Sequence, residues 1–122
     1  MTDKNVLSIF LVEDEAMIRM MVADMVETLG HRVAAEAGEI GQATELARSA
    51  KFDLAILDMN LRGTLSFAVA EVLAAREIPF IFASGYDSNV AFDRFGERLV
   101  LQKPFTMERL EAAIIGAMQI SV

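Results

Sequence analysis

The 122-residue sequence predicts an α/β fold, a doubly wound parallel sheet of five strands with five helices, and three observations point there. Apolar runs of strand length recur, each is followed by a stretch with helical spacing, and the first, third and fourth runs are nearly continuous in Val, Ile, Leu and Phe. A strand with one face in water alternates apolar and polar residues. Continuous runs are how strands read when helices cover both faces.

The first strand is expected over 6–12 and the helix after it over 15–29, stopped by Gly30 in the position of a C-terminal cap. Within that helix Ile18, Met21, Val22, Met25, Val26 and Leu29 recur at helical spacing and are expected to face the sheet, while Met17 and Met20 fall off the stripe, where two adaptable side chains suit docking to a partner's helices. The second strand (32–37) leads into a helix over 40–50, and the third (54–57) into a helix over 66–76. Pro79 opens the fourth strand (78–83), at a position where a missing N–H is tolerated, and a short helix follows over 89–95. The fifth strand (99–101) is closed by Pro104 and followed by a helix over 106–119. No linker, low-complexity tract or longer repeat interrupts this pattern, so residues 1–122 are expected to form one domain without an output domain.

Acidic residues outnumber basic ones 18 to 11, and a net charge of −7 repels a polyphosphate backbone, so nucleic-acid binding is not expected. The absence of cysteine excludes disulfides, thiolate nucleophiles and Cys-based zinc sites, and a single histidine excludes multi-histidine metal centres. His31 follows Gly30, far along the chain from every strand end, and is expected to be structural or solvated. No phosphate-binding glycine loop occurs, which argues against ATP and dinucleotides. No uncharged segment approaches the roughly 18 residues that span a bilayer, so a cytoplasmic protein without membrane contact is expected.

Ligands of an open parallel sheet bind outside the carboxyl ends of its strands. Four of the five ends carry reactive polar groups: Glu13 and Asp14, then Asp58 with Asn60, then Ser84, then Lys103. Three carboxylates brought together repel one another unless a divalent cation and an ammonium compensate. All available ligands are hard oxygens, which selects Mg²⁺ or Mn²⁺. A carboxylate beside such an ion and a lysine is set up to attack phosphorus, so Asp58 is the candidate nucleophile. Ser84 and Lys103 can each serve one phosphoryl oxygen.

Over essentially its whole length the chain resembles the receiver domain of two-component response regulators, in a stand-alone form. The resemblance rests on Leu11-Val12-Glu13-Asp14-Glu15, Leu54-Ala55-Ile56-Leu57-Asp58-Met59-Asn60, Ala83-Ser84-Gly85 and Lys103-Pro104-Phe105. It implies a flavodoxin-like sheet in the order 2-1-3-4-5. It implies Asp58 as phosphoacceptor, Asp14 as a direct Mg²⁺ ligand, Glu13 acting through water, Asn60 as a carbonyl ligand, Ser84 as switch hydroxyl, and Lys103 before a cis bond to Pro104. The implied partner is a histidine kinase or histidine phosphotransfer protein, with a downstream protein target and a monomeric or weakly dimeric state. The chain departs from the family pattern in Glu13-Asp14 where many members have two aspartates, in a loop Asn60-Leu61-Arg62-Gly63-Thr64 without proline, and in Val100 where a switch aromatic is common. Phe82-Ala83-Ser84-Gly85 resembles the subset with a Phe-Ala-Thr-Gly-like motif, and Val100 places any switching motion in the loop after Ser84 and the short helix behind it.

Two other readings use the same residues. A haloacid-dehalogenase-like phosphatase also combines an aspartate nucleophile with Mg²⁺ and lysine, but Asp58-Met59-Asn60 follows the third strand and offers no second carboxylate as general acid. A binding module that no longer uses phosphorylation would show altered acidic and switch positions, and Mg²⁺-dependent labelling of Asp58 discriminates it.

Overall fold

The structure, a computed structural model, describes residues 6–85 and 100–120. In chain order the elements are β1 (Ser8–Val12), α1 (Ala16–Thr28), β2 (Arg32–Ala37), α2 (Ile40–Ser49), β3 (Leu54–Asp58), β4 (Asn60–Leu61), β5 (Thr64–Leu65), α3 (Phe67–Ala75), β6 (Phe80–Ser84), β7 (Val100–Gln102) and α4 (Met107–Ile120). The main sheet runs β2-β1-β3-β6-β7 with every pair parallel, which is the expected order. The helix expected over 89–95 lies outside the described residues.

Alternate residues of the central strands feed opposite faces, and both faces are apolar, which is why these strands read as continuous runs. Phe10, Ala55, Leu57, Phe80 and Phe82 pack with Ala43 and Ala47 of α2 and Val69, Ala70 and Leu73 of α3. Ile9, Leu11, Leu54, Ile56 and Ile81 pack with Val22 and Val26 of α1 and Leu110, Ile114 and Ala117 of α4. Each fully buried Leu, Ile or Phe contributes about 1.5–3 kcal/mol. The result is a rigid three-layer frame whose central strand, β3, ends in Asp58.

One core expectation is corrected. Met21 does not face the sheet; it is 56% exposed. At about 100° per residue the contact face of α1 centres between Val22 and Val26, and Met21 stands roughly a third of a turn away, on the side of Met17 and Met20.

The loop after Asp58 contains an element the sequence pattern did not announce. β4 and β5 pair antiparallel, Leu61 opposite Thr64, around Arg62 and Gly63 at φ 53° and 88°. A two-residue hairpin with both central residues left-handed is a type I′ turn. Proline cannot adopt that φ, which accounts for its absence from this loop.

His31 plays the structural part expected of it, its Nδ1 accepting the Leu7 N–H at 3.1 Å. Two helices end in the same motif. Past α1, Gly30 N–H reaches Glu27 O and His31 N–H reaches Val26 O, with Gly30 at φ 94°; past α3, Glu77 N–H reaches Ala74 O and Ile78 N–H reaches Leu73 O, with Glu77 at φ 62°. The left-handed position suits Gly30 and strains the exposed Glu77, at about 1–2 kcal/mol for a residue with a Cβ. Glu77→Gly returns part of this as extra chain entropy and is expected to raise stability by about 0.5–1 kcal/mol, read from urea unfolding. An unchanged or lower midpoint would contradict the strain.

Candidate functional site

The sheet delivers the four reactive strand ends to one crevice of about 470 Å³. Asp58 closes β3 and Ser84 closes β6, while Glu13 and Asp14 follow β1 and Lys103 follows β7, its N–H bonded to Ser84 O at 2.8 Å. Glu13, Asp58 and Ser84 are all buried. The Lys103–Pro104 bond is cis, as the resemblance implied.

Lys103 is the electrostatic centre. Its Nζ lies 3.1 Å from Glu13 Oε1 and 3.3 Å from Asp58 Oδ2. Burial pushes the Asp58 carboxyl above its ordinary value, with Asp14 adding to the rise and Lys103 opposing it. Burial raises Glu13 as well, with Asp58 adding to it, against the lowering contacts from the Glu15 N–H and Lys103. Burial works against the Lys103 ammonium, but Asp58 and Glu13 outweigh it and hold the group above its ordinary value.

The length of Glu13 has a visible use: one oxygen reaches Lys103 while the other accepts the Glu15 N–H at 3.1 Å. An aspartate is a methylene shorter. Asn60 is turned inward by its main chain and outward by its side chain: its N–H donates to Asp58 Oδ1 at 3.3 Å, and its side-chain oxygen accepts the Gly63 N–H at 2.7 Å, bracing the hairpin turn. Asp14 Oδ2 accepts the Arg62 N–H at 3.1 Å, so the same turn holds an acidic residue from another strand end.

Carboxylate oxygens of Glu13, Asp14 and Asp58 all lie within 4.8 Å of one another. Trans ligands of an octahedral Mg²⁺ stand about 4.2 Å apart, so a small inward movement suffices. Three carboxylates against one ammonium leave two negative charges, and the donors are hard oxygens; the site fits a divalent Mg²⁺ or Mn²⁺.

Two further residues hold the site and have no signature in the sequence. Arg19 Nη1 donates to the main-chain oxygen of Glu13 at 2.6 Å while its Nε pairs with Glu36 at 3.0 Å, and Gly38 leaves the space that the guanidinium occupies. Ser66 Oγ donates to the main-chain oxygen of Asp58 at 2.7 Å. Burial and partner, which make these residues matter, emerge only on folding. Tyr86 and residues 87–89, expected to move with the loop after Ser84, lie outside the described residues.

Comparison with known proteins agrees with this fold. SdrG from Sphingomonas melonis Fr1 is 40% identical, with a TM-score of 0.82 over 97% of this chain and 99% of that one. The anti-anti-sigma factor PhyR from Bartonella quintana is 28% identical, with a TM-score of 0.82 over 96% of this chain and 49% of that one. The transcriptional regulatory protein PdtaR of Mycobacterium tuberculosis is 33% identical over 110 residues, 87% of this chain and 54% of that protein, so this chain spans about half the length of that relative. Residues 9–115 match the response regulator receiver domain, and the chain belongs to that family.

Proposed function

We propose that Asp58 accepts a phosphoryl group from the phosphohistidine of a histidine kinase or histidine phosphotransfer protein. What carries this reading is one arrangement: a buried carboxylate at the end of the central strand, an ammonium 3.3 Å from it, and two more acids close enough to share a cation. An Asp58 oxygen forms a bond to phosphorus while the P–N bond to the donor's imidazole breaks. The electron pair leaves with the imidazole, which takes a proton. The product is a mixed carboxylic–phosphoric anhydride at Asp58, which water later cleaves back to carboxylate and inorganic phosphate. The domain is thus a signalling element with phosphotransfer and autodephosphorylation activity rather than an enzyme with a turnover substrate.

Asp14 and Asp58 carboxylates and the Asn60 main-chain carbonyl would hold Mg²⁺, with Glu13 acting through water. The ion supplies charge neutralisation for the transferring group. Lys103 balances one phosphoryl oxygen and the Ser84 hydroxyl donates to another. Phosphorylation adds about −1.5 to −2 charge, and the pull on Ser84 draws the segment that follows it, changing the surface offered to a downstream protein. The likeness to PhyR, an anti-anti-sigma factor, supports a protein target in a regulatory cascade, and the net charge of −7 argues against direct nucleic-acid contact. We place the protein in the cytoplasm, as a monomer or weak dimer; among the described residues no helix is long and apolar enough to cross a membrane.

Met17, Met20 and Met21 are 82%, 65% and 56% exposed and share one face of α1, the helix whose Ile18 lines the crevice. Three unbranched apolar side chains suit docking of the donor's helices. Met17→Lys combined with Met20→Lys is expected to slow transfer from the cognate donor at least about tenfold, the loss of about 1.4 kcal/mol of contact, while labelling by a small phosphodonor is kept. Equal loss with both donors would contradict the docking face. The phosphoacceptor reading itself is tested by intact mass after incubation with a small phosphodonor and Mg²⁺: wild type gains one phosphoryl group, and Asp58→Asn gains none.

A further inference from the structure

We infer that Ser66 is a positioning residue for Asp58, holding the phosphoacceptor's main chain; this rests on the reading of Asp58 proposed above. Ser66 is 0% exposed, against 7% for Glu13 and Asp58 and 6% for Ser84, which makes it the most deeply buried polar residue among those described. It stands at the N-cap of α3, where a serine side chain ordinarily accepts an N–H of the first helical turn. Its side chain makes no such bond. The hydroxyl is spent instead on the Asp58 carbonyl, 2.7 Å away and eight residues back in the chain.

The main chain of Ser66 reinforces that tie. Its N–H donates to Met59 O at 2.9 Å, and its carbonyl accepts the N–H groups of Val69 and Ala70, at 3.1 and 3.2 Å, opening α3. Ser66 therefore clamps both residues at the turn out of β3, Asp58 and Met59, onto the first turn of a packed helix. On the other side Met59 N–H is held by Ala83 O at 2.9 Å. Between these anchors the Asp58 peptide has little freedom, and the carboxylate keeps its distance to Lys103 and Asp14 although the whole β4–β5 hairpin intervenes in sequence. A site whose reacting group must sit within a fraction of an ångström of its partners needs this support. Alanine at 66 leaves a buried carbonyl without its donor and frees the peptide to tilt.

The test uses phosphoramidate as the donor, saturating Mg²⁺, and a temperature well below every variant's unfolding midpoint. Ser66→Ala is expected to label about tenfold more slowly, between the roughly fivefold value of one neutral hydrogen bond and the hundredfold cost of a 1 Å misplacement. Its half-saturating Mg²⁺ concentration should rise, and the carbonyl carbon resonance of Asp58 should shift. Ser66→Thr keeps the hydroxyl and should retain the wild-type rate within about twofold, since no hydrogen bond is lost. Should the added methyl overfill the site, Ser66→Cys replaces it: the volume is kept, and the weaker S–H donor should give a rate between alanine and wild type. A Ser66→Ala protein that is less stable yet labels at the wild-type rate with the wild-type Mg²⁺ midpoint overturns the inference, as does a cysteine rate no higher than alanine's. A wild type that takes no label overturns the phosphoacceptor reading, whatever Ser66 does.

Discussion

Addition of Mg²⁺ at a hundredfold excess over its Kd is expected to raise the unfolding free energy by about 2.7 kcal/mol, and Asp14→Ala is expected to lose that gain. The reason is the uncompensated charge: Glu13, Asp14 and Asp58 gather around a single ammonium, and the unfolded chain has no such cluster to offer the ion. The metal-free protein should carry the opposite signature in pH. Glu13 and Asp58 have folded-state values raised above their ordinary ones, chiefly by burial. Between the ordinary carboxylate range and those raised values the folded state binds more protons than the unfolded state, so stability falls as pH rises through that window. Mg²⁺ binds the ionised form and should flatten or reverse the fall. Thermal unfolding of wild type and Asp14→Ala across mildly acidic to neutral pH, with and without millimolar Mg²⁺, checks both; coincident wild-type midpoints with and without the metal would contradict the metal site.

Lys103→Met is expected to cost about 2–3 kcal/mol at neutral pH. Removing one partner of a buried ion pair typically costs about 3–5 kcal/mol, reduced here because the lysine side chain keeps 23% of its exposure and the acids can take up protons. The Lys103 value is raised in the fold, so its contribution is fully present at neutral pH and disappears only as alkaline pH passes through the folded value. Lowering the pH toward the raised carboxylate range should shrink the loss, because protonated Glu13 and Asp58 no longer need the ammonium. Asp58→Asn should act in the opposite direction and stabilise the metal-free protein, since Lys103 keeps Glu13 while the repulsion from Asp14 goes. Urea unfolding at neutral and mildly acidic pH separates these cases. A loss on Lys103→Met that does not change with pH would show that the lysine acts through packing rather than charge.

Much of the fold is written in features that survive without tertiary context. Burial on both faces turns Phe10–Val12, Leu54–Leu57 and Phe80–Ala83 into unbroken apolar runs, and Gly30 marks the end of α1 because its left-handed φ excludes most other residues. The chemistry was legible for a related reason: a parallel sheet sends its strand ends to one edge, so Asp14, Asp58, Ser84 and Lys103 could be placed together before any distance was known. What was hidden depends on angle and burial. Arg62 and Glu77 adopt left-handed conformations that their side chains do not advertise, so the hairpin and the end of α3 carry no glycine signal at those positions. Met21 satisfies helical spacing yet stands about a third of a turn off the centre of the core face. Arg19 and Ser66 act through the main-chain oxygens of Glu13 and Asp58, and a bond to a carbonyl leaves no mark on the residue that supplies it.

The central claim is that Asp58 is the residue that becomes phosphorylated, and chemical trapping measures this most directly. After incubation with phosphoramidate and Mg²⁺, borohydride reduces an aspartyl phosphate to homoserine, and tryptic cleavage after Lys51 and Arg62 isolates a peptide holding both Asp53 and Asp58. Asp53 is an internal control: its carboxylate accepts the Ser8 N–H at 2.8 Å, away from the crevice. The expected result is homoserine at position 58 alone, formed only when the divalent cation is present. Aspartate retained at 58 under those conditions, or reduction appearing at 53 or 14 instead, would contradict the assignment and leave the domain as a binding module that does not use phosphorylation at this site.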